Sequence, residues 1–298
     1  MKITVAIPSY GRDHVLVDTL REVLNLSPPP AEVLVLDQTR AHTSDVETML
    51  REWDAAGGIR WLRLTEPSIT RAMNQGLLAA SNDIVLFLDD DIHPEPALLR
   101  AHLAAHRDTA ATLVAGRVIQ PWQAGVDVSK DTRFHFASLR PAWITQFMGG
   151  NFSIRRKAAL DLGGFDENFV RVAYRFEAEF AYRLDRAGHR IYFEPAASLY
   201  HLKVATGGTR SFGEHLTTFK PDHAVGAYYC CLRTWSGWPS LGGFLATAAR
   251  SVATRHHLRR PWWIPVTLVA QLLGMGWALG LYLSGPRYLR PPSAGAPH

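Results

Sequence analysis

The chain has 298 residues, of which 47% are hydrophobic, and a formal net charge of +5, which is typical of a globular protein with one large core or two modest ones. The charge favours an anionic partner, but no Lys/Arg block with interleaved aromatic residues indicates a nucleic-acid partner. The two cysteines, Cys230 and Cys231, are adjacent, which excludes a disulfide framework and favours a reduced cytosolic setting.

The first hundred residues alternate between strand and helix patterns. Strands are predicted at 3–7, 32–36, 59–64 and 84–88, and helices at 14–26, 44–55, 69–80 and 96–106. This alternation predicts an α/β fold with a mostly parallel sheet flanked by helices. The N-terminal residues enter the first strand at once and show no signal-peptide pattern.

The middle of the chain is less regular. A strand is predicted at 112–119, and the irregular stretch 120–146 is interpreted as loop-rich and substrate-facing. Beyond it we expect a strand at 152–155, helices at 156–162 and 174–187, and two short strands at 191–193 and 198–201.

The C-terminal region carries the longest apolar stretch. No charged residue occurs from 261 to 286, which is long enough for one membrane span, with aromatic residues at both ends. The alternatives are a core helix or a helix in the interface plane. The basic cluster from Arg250 to Arg260 outweighs Arg287 and Arg290, which predicts that the large domain stays at the cytoplasmic face of the membrane. We expect a domain at 1–215, a helical, partly interfacial connector at 216–260, the apolar helix at 261–286 and a disordered tail at 287–298.

The apolar run at 84–88 ends in Asp89-Asp90-Asp91, the strongest functional signal in the sequence. Ligands of open α/β sheets bind beyond the carboxyl ends of the strands. If the strand continues, Asp89 and Asp91 share one side and Asp90 points away. Such oxygen ligands suit Mg²⁺ or Mn²⁺ together with a diphosphate. The alternative is a solvated acidic turn that caps the next helix.

Polar residues also follow the first two strands, and neither GxGxxG nor GxxxxGK[ST] occurs there. The pattern therefore supports neither a dinucleotide site nor a P-loop. Phosphate would have to be held by the metal and by isolated basic groups such as Arg12 or Arg71. Asp37 is suited to accept hydrogen bonds from a nucleobase or ribose, or alternatively forms a turn.

Several segments between residues 3 and 210 resemble, in order, the motifs of family 2 glycosyltransferases, the inverting, nucleotide-sugar-dependent group on the GT-A fold. They are Val5-Ala6-Ile7-Pro8-Ser9-Tyr10, Val33-Leu34-Val35-Leu36-Asp37, Arg71-Ala72-Met73-Asn74-Gln75-Gly76, Asp89-Asp90-Asp91, Gly149-Gly150-Asn151-Phe152 and Gly163-Gly164-Phe165-Asp166-Glu167. The resemblance implies nucleotide binding by Pro8, Ser9, Tyr10, Arg12, Asp37, Arg71, Asp89 and Asp90. It further implies Asp89 and Asp91 as metal ligands, and Gly149, Gly150 and Asn151 on the acceptor side.

The family's catalytic base lies on a helix six to seven residues before an Arg. Counting back from Arg183 places Glu177 at the base position, with Phe176 where a second acid is usual, and Glu179 is the reserve candidate. Two residues that are two positions apart on a helix point in different directions, so the two acids cannot share one role. Either acid could instead lie on a solvated face or pair with Arg175 or Arg183.

His201 follows a short strand where the family often places a histidine near the metal, although a lone histidine is more often structural. Gly207-Gly208-Thr209-Arg210 resembles a flexible loop that closes over the diphosphate, with Arg210 stabilising the leaving group.

The resemblance thus implies a metal-assisted hexosyl- or deoxyhexosyltransferase that uses Mg²⁺ or Mn²⁺ and a UDP- or dTDP-sugar. The apolar C-terminal stretch adds the prediction that the enzyme acts at the membrane on a lipid-linked or cell-envelope glycan, and a soluble acceptor stays open as the alternative. Two alternatives stay open: a catalytically silent sugar-nucleotide-binding or scaffold protein of a glycan assembly complex, suggested by Ala178, and a nucleotidyltransferase, disfavoured because no Gly-rich basic loop follows the first strand.

Overall fold

The computed structural model describes residues 1–129, 131, 133–213, 215–234 and 239–289, with the backbone alone at 209, 210 and 239–241. The strands are β1 (Ile3–Ser9), β2 (Glu32–Asp37), β3 (Arg60–Arg63), β4 (Ile84–Leu88), β5 (Ile92–Pro94), β6 (Leu113–Ile119), β7 (Ala142–Ile144), β8 (Asn151–Arg155) and β9 (Ile191–His201). The α-helices are α1 (His14–Leu24), α2 (Ser44–Ala55), α3 (Ile69–Ala79), α4 (Leu98–Asp108), α5 (Arg156–Asp161), α6 (Phe176–Arg186), α7 (Ala224–Thr234), α8 (Pro239–Val252), α9 (Arg255–Arg259) and α10 (Ile264–Leu283).

All nine strands form one mixed sheet in the order β3-β2-β1-β4-β8-β6-β9-β5, with β7 paired to β9. Strands β1 to β4 are mutually parallel where they pair, as the alternating pattern predicts. Strand β8 then runs antiparallel between β4 and β6, and β6 is parallel to β9. The predicted α/β fold is therefore confirmed, with antiparallel strands added to its second half.

The structure differs from the sequence prediction at β9. Two short strands were expected at 191–193 and 198–201, whereas a single strand spans both and the residues between them. Its register against β6 shifts between Gly116 and Arg117, because Glu194 pairs with the first and Ser198 with the second. This bulge accommodates Pro195, which breaks the sequence pattern of a continuous strand. The three-residue strands β5 and β7 were not predicted.

The core forms two layers, one on each side of the sheet. Strand β4 shows this most clearly, because Val85 and Phe87 pack towards α3, α5 and α6, while Ile84, Leu86 and Leu88 pack towards α1 and α4. Every residue of β4 is buried, as expected of a strand covered on both faces. The sheet therefore holds the end of β4, and the three aspartates beyond it, in a rigid position.

The last four helices pack together beside α6. The segment Pro261–Leu283 has a mean hydropathy of 1.6 in its most apolar 18-residue window and, among the described residues, is the one helical segment long and apolar enough to cross a membrane. One face of α10 carries small residues against α7, where a Cβ at Gly274 would lie 2.6 Å from the Cβ of Ala224. Its outer face exposes Leu272 and Leu283, which are 62% and 76% accessible. The helix is thus docked on one side and apolar on the other. The domain boundaries stay a prediction.

Candidate functional site

The carboxylates that follow β4 meet a histidine from β9. Strand β5 pairs antiparallel with β9 so that Ile92 lies opposite His201. The His201 Nε2 atom lies 3.1 Å from Asp91 Oδ1 and 3.8 Å from Asp89 Oδ2. One ligand atom from each of the three residues lies within 4.8 Å of the other two. Two carboxylates and an imidazole at this spacing form a donor set that suits a divalent cation.

Arg12 fixes the orientation of Asp90 and Asp91. Its buried guanidinium donates to Asp90 Oδ1 and Asp91 Oδ2, each at 3.1 Å. Asp90 also accepts a 2.7 Å hydrogen bond from Ser9 Oγ. Because it is buried, the pKa of the Asp90 carboxyl is raised to about 6, despite the opposing charge of Arg12. Asp90 is thus bound by Ser9 and Arg12, whereas Asp89 and Asp91 both face His201.

The electrostatics of Asp91 differ from those of Asp90. Burial raises the pKa of its carboxyl, but hydrogen bonding to His201 and the charge of Arg12 outweigh burial, so that the pKa lies below its usual value. The backbone N–H of Val204 also donates to Asp91 Oδ2 at 2.9 Å. Asp91 is therefore an ionised, preoriented carboxylate at neutral pH.

Two glycines provide the space in which Asp89 and Glu177 lie. A Cβ on Gly150 would lie 2.2 Å from Asp89 Oδ2, and one on Gly149 would lie 3.0 Å from Glu177 Oε1. Burial, with a smaller contribution from the charge of Asp89, raises the pKa of Glu177 to about 7. A carboxylate with a pKa near neutrality beside a donor set for a cation is suited to general-base catalysis.

Glu179 lies in a different environment. It is fully buried and pairs with Arg183 through contacts of 2.8 and 3.0 Å, and it accepts a 3.2 Å hydrogen bond from the hydroxyl of Tyr288. Glu179 therefore has the structural role that the sequence analysis left open for either acid. The assignment of Glu177 as the base stays a prediction.

A cleft of about 150 Å³ lies over the carboxyl ends of β1 and β4. The residues of the sequence prediction that line it are Pro8, Ser9, Tyr10, Arg12, Asp89, Asp90, Asp91 and His201, together with Gly207 and Gly208. Gly207 reaches it in a left-handed conformation, with φ of 79°, and a Cβ there would lie 2.5 Å from the carbonyl oxygen of Gly11. The loop of Gly207 thus packs directly on the turn after β1. The side chain of Arg210 is outside the described part of the chain.

Asp37 and Arg71 lie outside the residues that line this cleft. The Asp37 carboxylate is buried and accepts hydrogen bonds from the indole of Trp61 at 2.9 Å and from the backbone of Thr39 at 2.8 Å. It also contacts His42 Nε2 at 2.8 Å. Arg71 pairs with Glu66 and, at 3.5 Å, with Glu167. Their predicted role in nucleotide binding stays a prediction.

Asn151 is fully buried and belongs to a polar network. Its amide nitrogen donates to the carbonyl oxygens of Arg117 and Ala197, at 3.0 and 2.9 Å, and so ties β8 to the bulge between β6 and β9. Its Oδ1 contacts His102 Nε2 at 2.9 Å. Ser153 Oγ lies 2.8 Å from His102 Nδ1 and 2.8 Å from His106 Nε2. Asn151 therefore positions the neighbouring Gly150 and does not itself face the cleft.

The cleft also has lining residues that were not predicted: Gln38, Pro67, Ser68, Ile69, Arg171 and Phe212. Gln38 follows β2 directly, and its position at a strand end was an available signal. The position of Ser68 could also have been predicted, because a serine before a helical pattern is a typical N-cap. Ser68 is the N-cap of α3 and accepts a 3.3 Å hydrogen bond from the Arg71 backbone. Arg171 has φ of 61° in an irregular segment, where no sequence pattern indicates its position.

Comparison with known proteins gives consistent results. The sequence model described as Glycosyl transferase family 2 matches residues 4–178. A "Pre-mycofactocin glycosyltransferase" of Mycobacterium tuberculosis is 29% identical over 139 residues, which cover 44% of this chain and 29% of that protein. The chain spans only 29% to 51% of the length of the curated relatives that it matches.

Solved structures share the fold. The mannosyltransferase PcManGT of Pyrobaculum calidifontis, in complex with GDP-Man and Mn²⁺, has a TM-score of 0.56 at 20% identity over 95% of this chain and 79% of that one. Residues 1–349 of TarS from S. aureus, in complex with UDP-GlcNAc, also have a TM-score of 0.56, at 13% identity over 99% of this chain and 98% of that one. The expected GT-A fold is confirmed.

Proposed function

We propose that this chain, which belongs to glycosyl transferase family 2, is a glycosyltransferase that transfers a sugar with inversion from a nucleoside-diphosphate sugar to a hydroxyl of a lipid-linked or cell-envelope glycan. The observation that carries this proposal is the position of Glu177. The Glu177 carboxylate packs against Gly149, and Asp89 packs against the adjacent Gly150. Glu177 therefore lies beside Asp89, at the edge of the group formed by Asp89, Asp91 and His201. A proton acceptor and a site for a charged leaving group are thereby adjacent.

Glu177 takes the proton from the acceptor hydroxyl. Its pKa of about 7 gives a carboxylate basic enough to assist this transfer while a large fraction remains ionised at neutral pH. Arg12 holds Asp90 and Asp91 in place, and Gly207 and Gly208 line the same cleft.

Asp89, Asp91 and His201 are the residues that would hold Mg²⁺ or Mn²⁺. The fit is supported by their mixed oxygen and nitrogen donors and by the space at Gly150, which leaves room for the Asp89 carboxylate. When bound, such a cation neutralises charge on the departing diphosphate. The donor is proposed to be a UDP- or dTDP-linked hexose or deoxyhexose.

The protein is proposed to act at the cytoplasmic face of the cell membrane. The exposed apolar face of α10 supports contact with lipid. Arg250, Arg255, Arg259 and Arg260, which precede α10, add attraction to anionic headgroups. An enzyme held at the membrane meets a lipid-linked acceptor at a high effective concentration.

The test is donor turnover by the purified protein in detergent, with UDP-, dTDP- and GDP-sugars and with Mn²⁺, Mg²⁺ or a chelator. We compare the wild type with Glu177→Gln, Asp91→Asn and the control Glu52→Gln, which changes an exposed carboxylate on α2. We expect Glu177→Gln to lower turnover by about 10²- to 10⁴-fold, as is usual for the loss of a general base.

The outcomes separate the assignments. Metal-dependent release of nucleoside diphosphate that Asp91→Asn abolishes and the control retains supports the proposal. Normal turnover by folded Glu177→Gln refutes the base assignment. Nucleotide binding without turnover, even with lipid acceptors present, identifies a silent binder instead.

A further inference from the structure

A second cleft, of about 240 Å³, lies between α7, α8, α10 and the residues that precede α6. Its charged lining residues are Arg175, Lys220 and Arg250. None of the described residues that line it is an aspartate or a glutamate. The cleft therefore concentrates positive charge without an acidic lining residue among those described.

Three arginines on the adjoining elements are paired with carboxylates. Ion pairs on the adjoining elements join Arg171 to Asp222 at 3.7 Å, Arg183 to Glu179 at 2.8 Å and Arg233 to Asp166 at 3.9 Å. The described lining of the second cleft, by contrast, contains no carboxylate. A cationic cleft of this kind attracts an anion from outside the protein.

Uncharged groups complete the lining. The ring of His223 lies 4.2 Å from that of Tyr174 and 4.5 Å from that of His215, measured between centroids. Burial, together with the neighbouring His215, lowers the pKa of His223 to about 4, so this imidazole is neutral at neutral pH. Thr247, Ser251 and Thr254 also line the cleft, where Ser251 Oγ donates to the carbonyl oxygen of Ala248 at 2.7 Å and Thr254 Oγ1 lies 2.7 Å from His257 Nδ1.

The cleft lies between the segment that precedes α6 and the apolar helix α10. Arg175 directly precedes α6, two residues before Glu177. A Cβ at Gly226 of α7 would lie 2.4 Å from the carbonyl oxygen of Tyr174, so the two backbones are in close contact and hold the segment before α6 in place. On the other side, Gln271 of α10 lines the cleft, and the adjacent Leu272 is exposed.

We propose that this cleft binds the phosphoryl headgroup of a lipid-linked acceptor, with Arg175, Lys220 and Arg250 as its cationic ligands. Guanidinium and ammonium groups form charge-assisted hydrogen bonds with phosphate oxygens. The lipid chain then lies along the exposed apolar face of α10, and the glycan extends towards Glu177. The inference rests on the proposed function and identifies the part of the acceptor that this protein recognises.

The experiment measures binding of decyl phosphate, below its micellar concentration, to the full chain by calorimetry. Decanol tests the binding of the alkyl chain alone, and inorganic phosphate tests the binding of the phosphoryl group alone. Vesicles of phosphatidylcholine with and without phosphatidylglycerol test for a general anionic surface. The variants are Arg250→Gln, Lys220→Gln, the charge-preserving Arg250→Lys, and the control Arg255→Gln on α9, which is outside the cleft lining. Thermal unfolding shows that each variant is folded.

We expect decyl phosphate to bind more tightly than decanol or inorganic phosphate. Arg250→Gln and Lys220→Gln should each weaken it about tenfold, the effect of losing one hydrogen bond to a charged group. Arg250→Lys should restore part of the affinity, and Arg255→Gln should leave it unchanged. Binding to vesicles should not be weakened more by Arg250→Gln than by Arg255→Gln.

Equal binding by the wild type and both glutamine variants would overturn the proposal. So would an equal loss with Arg255→Gln, or equally tight binding of decanol or of inorganic phosphate. Donor turnover by the wild type is measured separately. Arg250-dependent binding without any donor turnover would contradict the transferase proposal and leave the phosphoryl site standing, whereas normal turnover with Arg250-independent binding would reject only this site.

Discussion

Substitution of Gly150 by Ala tests the geometry of the candidate metal site directly. The new Cβ would lie 2.2 Å from Asp89 Oδ2 and 2.8 Å from Asp89 Cγ, whereas ordinary contacts begin at 3.4 Å. The Asp89 carboxylate must therefore move by about 1 Å, and a displacement of this size in a catalytic constellation costs about 100-fold in rate. We expect a rate loss of this order and a higher half-saturating concentration of Mn²⁺.

The assay is donor turnover at increasing Mn²⁺ concentration, with Gly276→Ala as the control, because no atom lies within 4 Å of a Cβ at that position of α10. Thermal unfolding establishes that both variants are folded. If Gly150→Ala has the same maximal rate and the same Mn²⁺ dependence as the wild type, then Asp89 does not act from this position, and its role as a metal ligand is refuted.

Three further predictions follow from the described contacts. The turnover rate should fall as pH decreases below about 7, because protonation of Glu177 removes the base, and a pH profile without this decline would contradict its role. Asn74→Ala should destabilise the protein by about 2–5 kcal/mol in urea unfolding, because the Asn74 side chain accepts from Phe165 N at 2.8 Å and donates to Phe165 O at 2.9 Å, in a fully buried position. Burial lowers the pKa of His102 to about 3 and of His106 to about 4, so unfolded chains bind more protons below pH 6.5. The free energy of unfolding should therefore decrease by on the order of 2 kcal/mol per histidine between pH 7 and pH 5, and a constant value would argue against two buried neutral imidazoles.

The sequence predicts those features of the fold that depend on local periodicity. Strands β1 to β4 alternate with helices, and their apolar runs are long enough to indicate burial. Strand β7 has three residues within an irregular stretch and depends on pairing with β9, which is distant in sequence. Local patterns carry no information about such a pairing.

In the candidate site, too, local sequence predicts some residues, whereas the environment of others depends on distant parts of the chain. Asp89 and Asp91 were accessible to prediction because they follow a buried strand, and His201 because of its place in the family motif. The environments of Glu177 and Glu179 could not be distinguished in this way. Each depends on tertiary neighbours, Gly149 for one acid and Tyr288 for the other, and these lie far from α6 in the sequence.

The buried network around Ser153 contains fewer protons than hydrogen-bonding contacts. Four contacts connect the carbonyl oxygen of Ala111, His106, Ser153, His102 and Asn151 Oδ1. Two neutral imidazoles and one hydroxyl supply three protons for these four contacts, because both amide hydrogens of Asn151 are used elsewhere.

One contact must therefore lack a proton. The longest of the four, at 3.1 Å, joins His106 Nδ1 to the carbonyl oxygen of Ala111, which also accepts a hydrogen bond from Arg155 Nε. The carbonyl is thus satisfied without the imidazole. If this is the contact without a proton, both His102 and His106 carry their proton on Nε2, and the hydroxyl of Ser153 donates to His102 Nδ1. Nitrogen-15 chemical shifts of the two rings report this tautomeric state, and with it the direction of the proton chain that ends at the residue next to Gly150.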